Sequence, residues 1–72
     1  MITTRDLVSR AALSPDQRHL ERLKDGRTVA TLIRVVRNPG IKSHARTFFY
    51  IDGKRVTRAT VAIVLRGHHT WQ

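Results

Sequence analysis

The sequence predicts an α+β fold, in which an N-terminal helical hairpin and a C-terminal helix pack on a small antiparallel three-stranded sheet (α-α-β-β-β-α). In the first 26 residues, capping residues precede apolar residues spaced three and four apart, which is typical of short helices. Residues 28–56 instead hold β-branched and aromatic runs separated by Asn-Pro-Gly and Asp-Gly, which is typical of strands joined by turns. Because 72 residues are too few for two independent cores, we expect one small domain. The sequence contains no cysteine, so no disulfide can stabilise it.

The first helix is expected over residues 5–12. Thr4 is a suitable N-cap, and the carboxylate of Asp6 would lie near the positive end of the helix dipole. The apolar stripe that this helix would bury consists of Leu7, Val8, Ala11 and Ala12. The helix therefore has one face for the core and one for solvent.

A second helix is predicted over residues 15–25, with Leu20 and Leu23 on its apolar face. Ser14 is a good N-cap, Pro15 suits the first helical position and Gln17 completes a capping box. Gly26 would then end the helix in a left-handed conformation. On this interpretation residues 1–26 are entirely helical.

The first strand is predicted over Thr28–Val36, which contains no glycine or proline. Both of its alternating sets of residues are apolar: Val29, Ile33 and Val35 form one set, and Ala30, Leu32 and Val36 the other. Strands covered on both faces have this pattern. We therefore expect a central strand, or one whose second face meets another subunit.

Asn38-Pro39-Gly40 ends that strand, and residues 38–45 are expected to form a mobile loop. A second strand over Arg46–Ile51 leads to Asp52-Gly53. This dipeptide predicts a type I′ hairpin turn, because both central residues of such a turn need a positive φ. Lys54–Val56 would begin the returning strand.

The segment that follows is open to two interpretations. Its run of Thr, Val, Ala, Ile and Leu could extend the hairpin as a strand. Thr57 is however a competent N-cap and Gly67 a competent C-terminal cap, and Arg66 suits the negative end of a helix dipole. We favour a helix over residues 58–66.

The charge of the chain is segregated along its length. The formal net charge is +9, from 14 Lys+Arg and 5 Asp+Glu. Residues 1–26 are close to neutral, with five cations and four carboxylates, whereas residues 27–72 hold nine cations and one carboxylate. Eleven of the cations are arginine, whose planar guanidinium binds phosphate with two hydrogen bonds. This balance favours a polyanionic partner over a merely solvated surface.

The stretch from Asp6 to Pro15 resembles the first helix and turn of repressor-type helix-turn-helix proteins. The resemblance covers about a fifth of the chain. Arg18 stands where that family has a buried aliphatic residue, and Val8 where it has a small one. We therefore expect an ordinary helical hairpin that covers the sheet.

The connection between the first two strands is basic and carries Pro39. Two strands that run into such a loop would form an arm suited to a nucleic-acid groove. Its triplet Arg37-Asn38-Pro39 is similar to the arm tip of histone-like bacterial DNA-bending proteins, in which a proline wedges between base pairs. The simpler interpretation is a surface loop in which Asn-Pro-Gly only shapes the turn.

Aromatic residues alternate with arginine on the second strand. If Phe49 and Ile51 face the core, then Phe48 and Tyr50 lie beside Arg46 on the opposite face. Exposed aromatics next to arginine suit base stacking on single-stranded nucleic acid. Packing against a helix or a second copy of the chain is the alternative.

The candidate binding residues are the cations and aromatics of the sheet, of its loops and of the start of the last helix. They are Arg34, Arg37, Lys42, Arg46, Phe48, Tyr50, Lys54, Arg55 and Arg58. The four histidines lack metal-ligand spacing, and neither paired carboxylates nor a nucleophile with an adjacent base appears. We expect no metal, no cofactor and no enzymatic activity.

These features predict a small nucleic-acid-binding accessory or regulatory protein that contacts the phosphates of DNA or RNA. The alternative is a protein-binding regulator or inhibitor of phage or plasmid type, docked on an acidic partner protein, and a homodimer is compatible with either. The longest apolar run, Val61–Leu65, is far below the roughly 20 residues that span a bilayer. We expect a cytoplasmic protein without membrane association.

Overall fold

Two helices and one antiparallel four-stranded sheet form the fold, in a computed structural model that describes residues 2–36, 40 and 44–67. The elements in chain order are α1 (Thr4–Leu13), β1 (Arg18–Arg22), β2 (Thr28–Val36), β3 (His44–Ile51), β4 (Lys54–Val56) and α2 (Arg58–Gly67). The strands lie in the order β1-β2-β3-β4. The predicted α+β class is confirmed, whereas the prediction of three strands and three helices is wrong.

Helix α1 begins one residue earlier than predicted, because Thr3 and not Thr4 is its N-cap. The Thr3 and Asp6 side chains bond each other's backbone N–H groups in a capping box, with 2.8 Å from the Thr3 nitrogen to Asp6 Oδ2. The Thr3 hydroxyl also donates to Asp6 Oδ2, at 3.1 Å, and both bonds to this oxygen favour the charged carboxylate. They hold the pKa of Asp6 below its ordinary value, mainly through the Thr3 backbone N–H.

The predicted second helix over residues 15–25 does not form, and strand β1 occupies its centre. Ser14 caps the end of α1, and Gln17 takes a left-handed φ of 57° in the turn that follows. Gly26, at φ 96°, lies in the turn between β1 and β2. The capping residues were therefore genuine turn signals. Pairing of β1 with β2, together with burial of Leu23, outweighs the helical preference of this short segment.

Strand β2 is central in the order of the strands and pairs with both β1 and β3, but the described helices cover only one of its two faces, whereas its apolar pattern predicted cover on both. Strand β3 begins at His44, so residues 44 and 45 belong to the sheet and not to the predicted loop over 38–45. The rest of that loop, apart from Gly40, lies outside the described residues. Asp52 and Gly53 have φ of 49° and 84°, which fits the predicted type I′ turn.

Both helices pack on one face of the sheet, which we call the inner face. The buried apolar core consists of Ile2, Leu7, Leu23, Val29, Phe49, Val61 and Leu65. The predicted last helix is confirmed: Thr57 Oγ1 accepts from the Thr60 N–H, and Val61 and Leu65 share the buried side of α2. Gly67 is the last helical residue and not a cap beyond it. Neither described helix has the length and apolar character needed to cross a membrane.

The molecule is long and narrow. The principal dimensions of the whole fold are 45 × 21 × 19 Å, and its radius of gyration is 13.1 Å. A compact chain of this length would have a radius of gyration of about 11 Å. In the described chain β2 and β3 continue beyond their neighbouring strands, since β1 pairs with β2 only as far as Leu32.

Candidate nucleic-acid interface

The side of the sheet opposite the helices, which we call the outer face, carries every second residue of each strand. In register across the sheet, Arg18 pairs with Leu32 and Leu32 with Phe48, while Leu20, Ala30, Tyr50 and Arg55 form the next row. Arg34 pairs with Arg46 one row further along. The outer face therefore combines arginine with apolar and aromatic side chains, and no described helix covers it.

Five arginines, each on an exposed residue, lie on the outer face: Arg18, Arg22, Arg34, Arg46 and Arg55. Within the described part of the chain, none of them forms an ion pair. The described lysines lie elsewhere, Lys24 in a turn and Lys54 on the opposite set of β4 positions. The cations of the outer strand positions are thus all of the type that binds phosphate bidentately.

Cations with partners lie mainly on the other side of the molecule. Arg10 on α1 donates to Glu21 Oε1 at 2.9 Å, and His19 Nε2 lies 2.9 Å from the same oxygen on the inner face. Arg27 is bonded to Asp25 at 2.7 Å in the β1–β2 turn. In the described ranges, no three histidine or carboxylate side chains come together as a metal site would require.

Carboxylates are missing from the strand positions of the outer face. Asp16 and Asp52 lie in turns at its two ends. Asp52 accepts from the Thr28 N–H at 3.1 Å, and Asp16 from the Ser14 hydroxyl at 2.6 Å. The Ser14 bond is the main cause that lowers the pKa of Asp16, and Arg18 contributes weakly. The positive charge of the face is therefore left largely uncompensated.

The centre of the outer face is apolar. Leu20 is 60% exposed, and Ala30, Leu32, Phe48 and Tyr50 are half-buried around it. The Arg55 guanidinium lies over the Phe48 ring, 4.8 Å from its centroid, in a cation–π contact. One face of this aromatic ring is therefore already occupied by a side chain of the protein.

A cleft of about 610 Å³ opens at the β4 edge of the sheet. It is lined by Thr47, Phe48, Phe49, Arg55, Val56, Thr57 and Arg58. Arg58 is the first residue of α2, so the cleft brings its guanidinium to the same edge as that of Arg55. Two cations and two threonine hydroxyls around one cleft can bind an anionic group.

Most of the predicted site residues that the structure describes lie together. Arg34, Arg46, Phe48, Tyr50 and Arg55 share the outer face. Arg58 borders it at the cleft, whereas Lys54 belongs to the opposite set of positions on β4. Phe49 and Ile51 lie on the core side, which is the condition under which Phe48 and Tyr50 were expected beside Arg46. Arg37 and Lys42 lie outside the described residues.

Arg18 and Arg22 are not among the predicted candidates, because residues 15–25 were predicted to form a helix. Their strand alternates Arg18, Leu20 and Arg22 outward with His19 and Glu21 inward. The alternation of outward and inward residues over 18–22 is the signal that indicates a strand, but the helix-capping residues that precede Arg18 favoured a helix. Comparison of the chain with protein-family models, with curated proteins and with solved structures gives no match.

Proposed function

We propose that the outer face binds nucleic acid through its phosphates. The observation that carries this proposal is the group of five arginines on one side of the sheet, without an ion pair in the described chain and without a carboxylate among them. Like charges side by side on a sheet repel, so this arrangement has a cost unless an anion binds there. A polyanion with regularly spaced charges meets that requirement.

The expected binding is strongly salt-dependent. Each arginine that neutralises a phosphate releases condensed counterions, and the logarithm of the affinity falls with the logarithm of the salt concentration by about 0.9 per phosphate. Five such contacts predict a slope of about −4.5 on duplex DNA. Phosphate contacts carry no sequence information, so we expect modest sequence preference.

Fluorescence anisotropy with labelled oligonucleotides at several salt concentrations tests the proposal. The decisive variant is R34Q/R46Q, which removes two charges from the outer face. We expect it to weaken binding roughly tenfold and to reduce the slope by about 2. The matched control is R5Q/R66Q, which removes the same charge from exposed residues of the two helices. The control should retain most of the affinity.

Two results would contradict the proposal. One is no binding to DNA or RNA even at low salt. The other is an equal loss in both variants, because this would mean that net charge alone and not the outer face attracts the nucleic acid. Circular dichroism of both variants checks that each remains folded, as expected for substitutions at exposed positions.

The apolar centre of the outer face supports a second candidate, a regulator that docks on an acidic partner protein. Leu20 is 60% exposed, and arginines surround it with half-buried Leu32 and Phe48. Protein hot spots have such an apolar centre with arginine around it. A stoichiometric partner whose capture is insensitive to nuclease but is lost in L20S would favour this function over nucleic-acid binding.

A further inference from the structure

The described part of the β2–β3 hairpin that extends beyond β1 and β4 is only two strands wide. Strand β1 makes its last register pair with β2 at Arg18 and Leu32, and the Ile33 N–H then donates to the Gln17 carbonyl at 2.9 Å. On the other side, β4 ends where Val56 pairs with Phe49. Residues 34–36 and 44–46, which we call the arm, therefore pair only with each other in the described chain.

The arm places two arginines directly opposite each other. Arg34 and Arg46 are register partners on adjacent antiparallel strands, and both are exposed and without an ion pair. Cβ atoms of such partners lie about 5 Å apart, and like charges there destabilise the sheet by roughly 0.2–1 kcal/mol. Being exposed, neither side chain contributes to the core. A phosphate or a base edge with acceptor atoms between the two guanidinium groups would relieve the repulsion.

The width of the arm decides which nucleic acid fits it. Two strands about 4.8 Å apart form a ribbon about 10 Å wide, when half a strand spacing is added at each outer edge. The major groove of B-form DNA is about 12 Å wide and admits a two-stranded ribbon, whereas its minor groove is about 6 Å wide. The major groove of an RNA duplex is too narrow and deep. The four-stranded part, about 14 Å wide in its backbone alone, remains outside any of these grooves.

The aromatic residues favour a duplex over a single strand. Proteins that bind single strands stack the bases on open aromatic rings. Phe48 has one ring face covered by Arg55 at 4.8 Å, and the described residues of the arm include no Phe, Tyr or Trp, only the small imidazole ring of exposed His44. Tyr50 is half-buried in the apolar row beside Ala30. The outer face therefore offers dense positive charge but few platforms for unpaired bases.

We propose that the arm lies in the major groove of double-stranded DNA, with Arg34 and Arg46 directed at the groove. Arg18, Arg22 and Arg55 of the wider sheet then contact the phosphates that flank the groove. This inference rests on the proposed function and narrows its partner to one class of nucleic acid.

The test measures binding of the unmodified protein to three labelled probes at one salt concentration: a DNA duplex, one of its single strands and an RNA duplex of the same sequence. We expect the DNA duplex to bind at least roughly tenfold more tightly than either of the others. Glucosylated hydroxymethylcytosine, which fills the major groove, should weaken binding roughly tenfold. Netropsin, which fills the minor groove, should leave it unchanged.

Two double variants with the same charge change separate the arm from the wider sheet. R34Q/R46Q should remove the preference for the DNA duplex and the sensitivity to glucosylation. R18Q/R22Q, which alters β1, should weaken binding to all three probes by a similar factor and retain the preference for the DNA duplex. The experiments with glucosylated DNA and with netropsin use the unmodified protein, so they give a result even if a variant folds poorly.

The outcomes are distinguishable from failure of the proposed function. Equal or tighter binding of single-stranded DNA or duplex RNA overturns the major-groove inference and leaves the proposed function standing. Competition by netropsin without an effect of glucosylation places the arm in the minor groove and also overturns it. Absence of binding to every probe overturns both.

Discussion

At the scale of single residues, Thr31 is the main polar exception in the core. It lies on the inner face of β2 between His19 and Phe49, and it is fully buried. Among the described residues its hydroxyl is the buried side-chain group that has no hydrogen-bond partner. Such a group loses its hydration without replacement, which costs about 1–3 kcal/mol.

Replacing Thr31 with valine should therefore stabilise the protein. Valine has nearly the same shape and no hydroxyl to desolvate, so we expect T31V to raise the free energy of unfolding by about 1 kcal/mol. Urea denaturation followed by circular dichroism measures the change. T47V, at a half-buried position of β3, is the control and should have a smaller effect. Loss of stability in T31V would show that the hydroxyl contributes to the native fold.

The cap of α1 makes stability depend on pH. Hydrogen bonds from Thr3 lower the folded-state pKa of Asp6 below its ordinary value of 3.8, so the folded chain binds this proton less tightly than the unfolded chain. The stabilisation is complete above the unfolded pKa and is lost as the pH falls through the folded pKa. We expect D6N to lower Tm at neutral pH and to reduce the fall of Tm in acid.

Thermal unfolding from neutral pH to about pH 2 measures this dependence. T3S is the matched control, because a serine hydroxyl preserves the capping box. If Tm of D6N falls in acid as much as that of the unmodified protein, the pH dependence comes from other carboxylates. Asp16 is one of these, since its pKa is also lowered.

At the scale of elements, the β2–β3 arm combines an energetic cost with a proposed role. Its register sets Arg34 against Arg46 on adjacent strands. Because neither has an ion pair in the described chain, their repulsion opposes formation of the hairpin.

R34Q should relieve this repulsion and raise the free energy of unfolding by about 0.5 kcal/mol, while it weakens nucleic-acid binding. Denaturation at low salt measures the gain, and high salt should diminish it. R5Q on α1, where no arginine lies opposite, is the control and should have a smaller effect on stability. A loss of stability in R34Q would mean that the two arginines support the arm.

The elements also differ in how well the sequence predicted them. The β-branched run of β2 and the Asp-Gly turn each have one strong local solution, and both were predicted. The helix after Thr57 was favoured over a strand because of its caps, and it forms. Residues 14–26 have turn signals that suit either a helix or a hairpin. Their outcome depends on pairing with residues 28–32 of β2, and the capping residues before Arg18 outweighed the period of two that indicates this strand.

At the scale of the whole molecule, excess positive charge acts on both stability and binding. The formal charge is +9, and the outer face gathers five arginines without ion pairs in the described chain. Self-repulsion destabilises the compact state of such a chain. The same charges attract a polyanion.

Salt should therefore raise stability and lower affinity in the same protein. Between about 0.05 M and about 0.5 M NaCl the screening length shortens from about 14 Å to about 4 Å, so we expect Tm to increase. Calorimetry measures it, and R34Q/R46Q should show a smaller increase. A Tm that falls with NaCl would mean that ion pairs such as Arg10–Glu21 outweigh the repulsion.

The amino-acid sequence by itself determined the class of the fold, three of the four strands, the last helix and the basic character of residues 27–72. These depend on composition and on short-range preferences of the backbone. Only the tertiary structure decided that residues 18–22 form a strand and that β2 and β3 extend beyond β1 and β4. It also decided that five arginines share one face of the sheet: Arg18, Arg22, Arg34, Arg46 and Arg55. Strand register sets which side chains share a face, and it arises from pairing between different strands, which the pattern within one segment does not specify.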